Sequence, residues 1–283
     1  MSRSIPNILK DCENRLAKVD SPRLSAQLLT AHALGCSRLT VTLERNRILS
    51  DCEIEAIHAL VARREAGEPV AYILGEKEFY GLDFFVTPDV LIPRPETEHI
   101  VEEVERLYPK DRVFRFADLG TGSGILAVTL CVLFPGARGV AVDISPAALH
   151  VAQRNAHRHG VDDRIDFQCL DFTKEAPGGE FDLIVSNPPY VTAAEFNAAS
   201  HEVTTFEPTG ALVSGVDGMD HIRAMLPGIE STLKAKGHLL MEIGFSQGED
   251  VKKIICREFS LFGQVAILKD LAGHDRVVVA SKL

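Results

Sequence analysis

The chain has 283 residues, 46% hydrophobic and 25% charged, values that suit a globular fold of one large domain or a large domain with a small one attached. No apolar run approaches the roughly 20 residues that cross a bilayer, so a cytoplasmic protein with no membrane contact is expected. The net charge of −10 argues against direct nucleic acid binding through a broad basic face.

The six cysteines, at 12, 36, 52, 131, 169 and 256, are scattered with no CxxC pair and read as reduced thiols, and no metal site is expected. The final Ser-Lys-Leu matches a peroxisomal address, a three-residue match that arises easily by chance.

The first 67 residues read as helices. "SPRLSAQLLTAHALG" places Ser21 as N-cap, Pro22 at the first helical position, Leu24, Leu28 and Ala31 on one face, and Gly35 as a stop. "SDCE" at Ser50–Glu53 is a capping box, followed by Ile54, Ile57 and Val61 and then Gly67. Residues 1–70 are therefore expected to form a small helical bundle. From Tyr72 to Pro93 the sequence turns aromatic and branched, with Gly81 and Pro88 as turn signals, which suggests a β-hairpin linker over 71–95. Helical spacing returns in "RPETEHIVEEVERL" through Ile100, Val101, Val104 and Leu107.

Strands and helices then alternate, so that 96–283 reads as one α/β domain. Strands are expected near 113–119, 138–143, 165–170, 181–186, 238–243, 262–269 and 275–280, with helices near 123–134, 146–159, 219–234 and 246–259. This order implies a mostly parallel seven-stranded sheet covered on both faces. The last two strands are joined by a short turn, so one of them runs antiparallel.

"FADLGTGSGILAVTL" runs from a strand through Gly120, Thr121, Gly122, Ser123 and Gly124 directly into a helix. Glycines there let a ligand approach the backbone. Asp143 ends the next strand, 23 residues after Gly120, where a carboxylate accepts from ribose hydroxyls, caps the following helix, or does both. Together these features point to a nucleoside-containing cofactor. The loop is GxGxG without the Lys-Ser/Thr of a P-loop, which by itself leaves a dinucleotide and S-adenosylmethionine open.

"SNPPY" follows the strand "FDLIV". An amide nitrogen, or an amino group conjugated with a ring, is a poor nucleophile because its lone pair is delocalised. Two acceptors gripping its N–H bonds would aim that lone pair at a methyl donor and favour the charge developing on nitrogen. Asn187 offers a side-chain carbonyl and Pro188 a backbone carbonyl. Pro188 and Pro189 each keep the preceding residue extended, and Tyr190 offers a flat packing face.

The Asp118–Gly124 loop, Asp143 and Asn187–Tyr190 resemble class I S-adenosylmethionine-dependent methyltransferases acting on exocyclic or amide nitrogen. More closely, "GEPVAYILGEKEFYGLDFFVTPDVLIPRPETE" (Gly67–Glu98), "FEPTGAL" (Phe206–Leu212) and "DLAGHDRVVVA" (Asp270–Ala280) resemble the protein-(glutamine-N5) methyltransferases, the HemK/PrmC family. The resemblance covers nearly the whole chain. It implies a Rossmann-like catalytic domain with a small N-terminal helical bundle that docks substrate. It implies methyl transfer from S-adenosylmethionine, leaving S-adenosylhomocysteine, to the glutamine of the Gly-Gly-Gln motif in class I peptide chain release factors. Gly120, Thr121, Gly122, Ser123 and Gly124 would line the cofactor, Asp143 would bind its ribose and Phe172 would lie by the adenine. Asn187 would stand at the junction of cofactor and glutamine, with Pro188, Pro189 and Tyr190 completing the glutamine pocket. Two departures stand out: Phe172 where relatives often have Trp, and the segment Val191–Thr205.

Other residues carry open readings. His157-Arg158-His159 reads as a solvated last helical turn rather than a metal site. Arg94 and Glu96 either start a helix or stand near an active-site mouth, and Glu242 at a strand end either supports the fold or serves the substrate side. Two rivals remain: an adenine or guanine amino-group methyltransferase, which shares the Asn-Pro-Pro-Tyr type of motif, and a noncatalytic binding module, which would be expected to have lost Asn187 or a loop glycine.

Overall fold

The computed structural model describes residues 3–259 and 261–283, and the chain divides into two compact units. One holds the chain up to Glu76 together with Ser200–Phe206; the other holds Lys77–Ala199 and Glu207–Leu283.

The first unit is helical: α1 (Ile5–Arg15), α2 (Pro22–Ala33), α3 (Arg38–Leu43), α4 (Asp51–Glu65) and α5 (Val70–Leu74). The expected capping box opens α4, with Ser50 Oγ accepting from the Glu53 N–H and Glu53 accepting from the Ser50 N–H at 2.8 Å. Ser21 precedes α2 as expected, but it is left-handed at φ 50° and its side chain caps nothing, so Pro22 sets the helix start. The face of α2 is also turned from the expected one. Leu24 is 40% exposed, while Ala26, Leu29 and Ala31 join Ile5, Leu16, Ile57 and Val61 in the core. Because α1, α3 and α4 all pack on α2, its buried stripe is wide enough to take in the polar Ser25 and Thr30.

A distant segment completes this unit. Arg64 on α4 is 3% exposed and donates to Glu202 Oε2 at 2.7 Å and to the Glu68 carbonyl at 3.0 Å. The 191–205 stretch is thus divided, its second half folding as a short helix, His201–Phe206, that belongs with the bundle.

A hairpin that starts at the unit boundary, β1 (Glu76–Phe79) and β2 (Leu82–Phe85), is narrower than the expected Tyr72–Pro93 signal, because Tyr72 lies in α5. Phe79 and Phe84 pack edge to face at 6.2 Å and are buried in the main core, so this hairpin is part of the domain's packing. A 3-10 turn, Pro95–Thr97, leads into α6 (Glu98–Leu107). There follow β3 (Phe114–Leu119), α7 (Ile125–Leu133), β4 (Ala137–Asp143), α8 (Pro146–Arg158), β5 (Ile165–Cys169), β6 (Phe181–Ser186), α9 (Ala193–Ala198), the helix already described (α10), α11 (Asp220–Thr232), β7 (Leu233–Glu242), α12 (Gly248–Glu258), β8 (Phe262–Lys269) and β9 (Asp275–Lys282).

The seven-stranded sheet has the order β5-β4-β3-β6-β7-β9-β8. Pairing is parallel from β5 to β7, and β9 is antiparallel to both β7 and β8, as the short last connection requires. The inner strands carry buried apolar runs, Val140–Val142, Leu183–Val185 and Leu239–Met241, because both faces are covered there, whereas the outer β5 and β8 are partly exposed. Phe116, Leu183 and Val185 face one core with α6 and α7; Leu119, Val142 and Ile184 face the other with Ile222, Leu226 and Ile255 of α11 and α12. Strand β7 starts five residues before its expected limit, with a register irregularity near Phe181 that absorbs the extra length. Among the described residues no helix is long and apolar enough to cross a membrane.

Candidate active site

The parallel strands end along one edge, where the following loops enclose a cavity of about 310 Å³. The Gly120–Ser123 loop, Asp143, Phe172, Asn187 and Pro189 all border it; Gly124, Pro188 and Tyr190 do not.

Two backbone bonds pin the glycine loop, from Gly120 N and Thr121 N to the Val142 carbonyl, both 2.8 Å. Gly120 has φ +75°, and a Cβ there would meet the Phe172 ring at 3.3 Å; Gly122 has φ +55° and opens onto free space. A side chain at either position would be strained, and at 120 it would also crowd the ring that walls the cavity. Thr121 Oγ1 and the Ala127 N–H donate to Asp118 Oδ2 at 2.7 and 3.1 Å, while the buried Oδ1 of Asp118 has no partner. Burial raises the Asp118 carboxyl from its ordinary 3.8 to about 7, and the Asp143 charge adds to the shift.

Asp143 accepts from the Gly122 N–H and the Ser145 N–H, each at 2.9 Å. It therefore ties the loop after β3 to the turn after β4. The side-chain cap of α8 is Ser145, which accepts from the Ala148 N–H at 3.2 Å, so the capping role considered for Asp143 falls to its neighbour. Each carboxylate oxygen keeps a further lone pair for a hydroxyl donor.

Asn187 Nδ2 donates to Thr97 Oγ1 at 2.9 Å, and Thr97 Oγ1 donates to Glu242 Oε2 at 2.6 Å. Tyr190 Oη donates to Glu242 Oε1 at 2.9 Å. Thr97 and Glu242 are fully buried, and burial raises the pKa of Glu242 and of the Tyr190 phenol. The Tyr190 carbonyl accepts from Gln247 Nε2 at 3.0 Å, and Val191 exchanges backbone bonds with Leu212 and Ser214. Of the residues left open in the sequence, Glu242 supports the Asn-Pro-Pro-Tyr segment and Arg94 lines the cavity, while Glu96 lies in the first turn before α6. His157 is exposed, and His159 instead turns onto the hairpin, its Nε2 2.9 Å from the Asp83 carbonyl.

Sequence reasoning missed Thr97, Gln247 and the free oxygen of Asp118. Thr97 sits where a threonine reads as a helix cap, yet its side chain caps nothing. His221 was missed as well: it borders the cavity near Phe172, with ring centroids 6.3 Å apart and its Nδ1 2.8 Å from Ser214 Oγ.

A parallel sheet with one internal antiparallel strand near its end, and a glycine loop and acidic strand tip at the cavity, define a class I methyltransferase domain. A methyltransferase from Pyrococcus furiosus shares the fold with a TM-score of 0.52 and 17% identity, over 80% of this chain and 97% of that one. The PrmC N-terminal domain model matches residues 7–75 and the methyltransferase small domain model matches 99–208. The release factor glutamine methyltransferase of Nitratidesulfovibrio vulgaris is 44% identical over 99% of this chain and 95% of its own length. That of Koribacter versatilis is 42% identical over 100% and 98%. The chain belongs to the release factor glutamine methyltransferase family.

Proposed function

We propose that this protein methylates the side-chain amide nitrogen (N5) of the glutamine in the Gly-Gly-Gln motif of class I peptide chain release factors, with S-adenosylmethionine as donor. The observation that carries the reading is that Asn187 and the glycine loop border one cavity, which sets an amide acceptor beside the cofactor-sized space.

The residues present fit that cofactor. Gly122 leaves open the space a Cβ would fill, and the unpartnered Asp118 Oδ1 suits an ammonium group such as that of a methionine moiety. Asp143 would take the ribose hydroxyls and Phe172 would pack beside the adenine. Bound there, the cofactor supplies a methyl group made electrophilic by its sulfonium.

The chain's own task is to orient the acceptor. Asn187 Oδ1, at the cavity, would accept one N–H of the glutamine amide, and the Pro188 carbonyl, just outside the cavity lining, would take the other once the side chain enters. Together they would turn the lone pair toward the methyl group and stabilise the positive charge that nitrogen gains. Neither oxygen has a protein partner among the described residues. Pro188 and Pro189 are buried and hold the carbonyl in place before substrate arrives. The amide becomes acidic only as it is methylated, so no general base is needed before attack. We assign residues 1–70 to docking of the release factor.

Incubation with labelled S-adenosylmethionine and a release factor, followed by mass mapping, tests the reading. Label on the Gly-Gly-Gln glutamine supports it. Label appearing instead on an RNA or DNA acceptor, with none on release factor, would replace it with the amino-group alternative.

A further inference from the structure

Both ends of the Asn-Pro-Pro-Tyr segment are tied to one buried carboxylate, Tyr190 directly and Asn187 through Thr97. The order of protons in this chain has a consequence for Asn187. A threonine hydroxyl has a single proton. At 2.6 Å from Glu242 Oε2, that proton lies between Thr97 and the carboxylate. The Thr97 oxygen can then only accept, so the atom of Asn187 that faces it must be the NH2 group. A flipped amide would set two acceptor oxygens 2.9 Å apart with no proton between them, and would turn NH2 against the NH2 of the incoming glutamine.

We propose that Thr97 and Glu242 are positioning residues for methyl transfer. Glu242 takes the Thr97 proton, Thr97 thereby fixes which way round the Asn187 amide sits, and Oδ1 is held toward the substrate. Burial, with Glu96, raises the Glu242 carboxyl, while the two O–H donors, one on each carboxylate oxygen, and Arg276 oppose that rise. The geometry, with each oxygen facing a hydroxyl, leaves Glu242 as the acceptor of the Thr97 proton. The role rests on the amide-methylation reading above, whereas the bond that fixes the amide stands independently of it.

The test is a double-mutant cycle with Thr97→Val, which keeps the shape and removes the hydroxyl, together with Asn187→Ala. Thr97→Val should slow single-turnover methylation of release factor by about 30- to 100-fold, as loss of an aligned partner does, with cofactor affinity within about twofold. Thr97→Ser should restore most of the rate. In the Asn187→Ala background Thr97→Val should cost little more, because its effect passes through Asn187. Equal losses in both backgrounds would overturn the proposal and leave Thr97 a packing residue.

Removing the hydroxyl also strips a donor from a buried carboxylate, so Thr97→Val is at risk of failing to fold. The wild-type protein then decides. With 15N-labelled asparagine, the Asn187 NH2 signals, assigned by their loss in Asn187→Ala, should exchange slowly with water. Fast exchange would overturn the proposal and leave the function untouched. Slow exchange in a protein that methylates no release factor would overturn the function and the positioning role, but not the bond.

Discussion

Arg94 Nη2 stands 2.5 Å from Glu207 Oε1, joining two loops 113 residues apart at the cavity wall. The Glu207 side chain is only 1% exposed and its other oxygen accepts from the Ile92 N–H at 3.2 Å. Arg94→Ala leaves this carboxylate buried without its cation; because Arg94 is itself one-third exposed, the cost should fall below the roughly 3–5 kcal/mol of a fully buried pair. Neutralising the stranded group should recover part of that. Urea unfolding should therefore rank Arg94→Ala as less stable than Arg94→Ala/Glu207→Gln. A single mutant as stable as wild type would mean that the pair contributes nothing to the wall.

Asn187→Ala should leave cofactor binding within a few-fold while the chemical step falls about 100-fold or more, since one preorganised partner at a transition state is worth roughly 2.7–4 kcal/mol. Asn187→Asp keeps an acceptor and should retain more activity than the alanine variant. Rapid-quench measurement of a single turnover separates the two effects. A near-parental rate in Asn187→Ala would reduce the segment to a rigid turn.

Asp143→Ala removes two backbone bonds as well as the proposed ribose acceptor, and each charge-assisted bond is worth about 1.5–3 kcal/mol. Calorimetric affinity for S-adenosylmethionine should drop at least tenfold in a protein whose circular dichroism is unchanged. Asp143→Asn should fall in between. Parental affinity in the alanine variant would remove Asp143 from the cofactor site.

The Asp118 carboxyl, raised from 3.8 to about 7 in the fold, gives a signed pH effect. Folding favours its protonated form, so its contribution to stability is complete below about pH 4 and is lost as pH rises through 7. Without cofactor, wild type should lose stability relative to Asp118→Asn between those limits. A pH-independent difference between the two proteins would show that Asp118 does not titrate there.

The sheet was legible because most strands carry a short apolar run, such as Leu183–Val185 or Val265–Leu268, set between helical patterns: 181–186 and 262–269 fall where the pattern places them. The glycine loop and Asn187–Tyr190 stand out in the sequence because each is a few consecutive unusual residues, but which of them reach the cavity was not legible: Gly124, Pro188 and Tyr190 lie outside its lining. Glu242 was legible only as a strand-end carboxylate of open role, and its tie to Thr97 was not legible at all, since the 145 residues between them leave no periodic trace. The short α9 and α10 were missed for a different reason. Six residues carry too little periodicity, and α10 takes its place through Arg64, far back in the sequence.

Strand β9 lies inside the sheet although it is the latest strand in sequence. Until it emerges from the ribosome, β8 has no partner in the sheet, and β7, which carries Glu242, has a bare flank where Val277 will pair. An emerging chain can thus pair β3 through β7 early, but it completes the strand bearing Glu242 only when the segment around Val277 slots in. Nascent chains arrested before Asp275 should expose that flank to chaperones and to other strands, and release of the arrest should bury it.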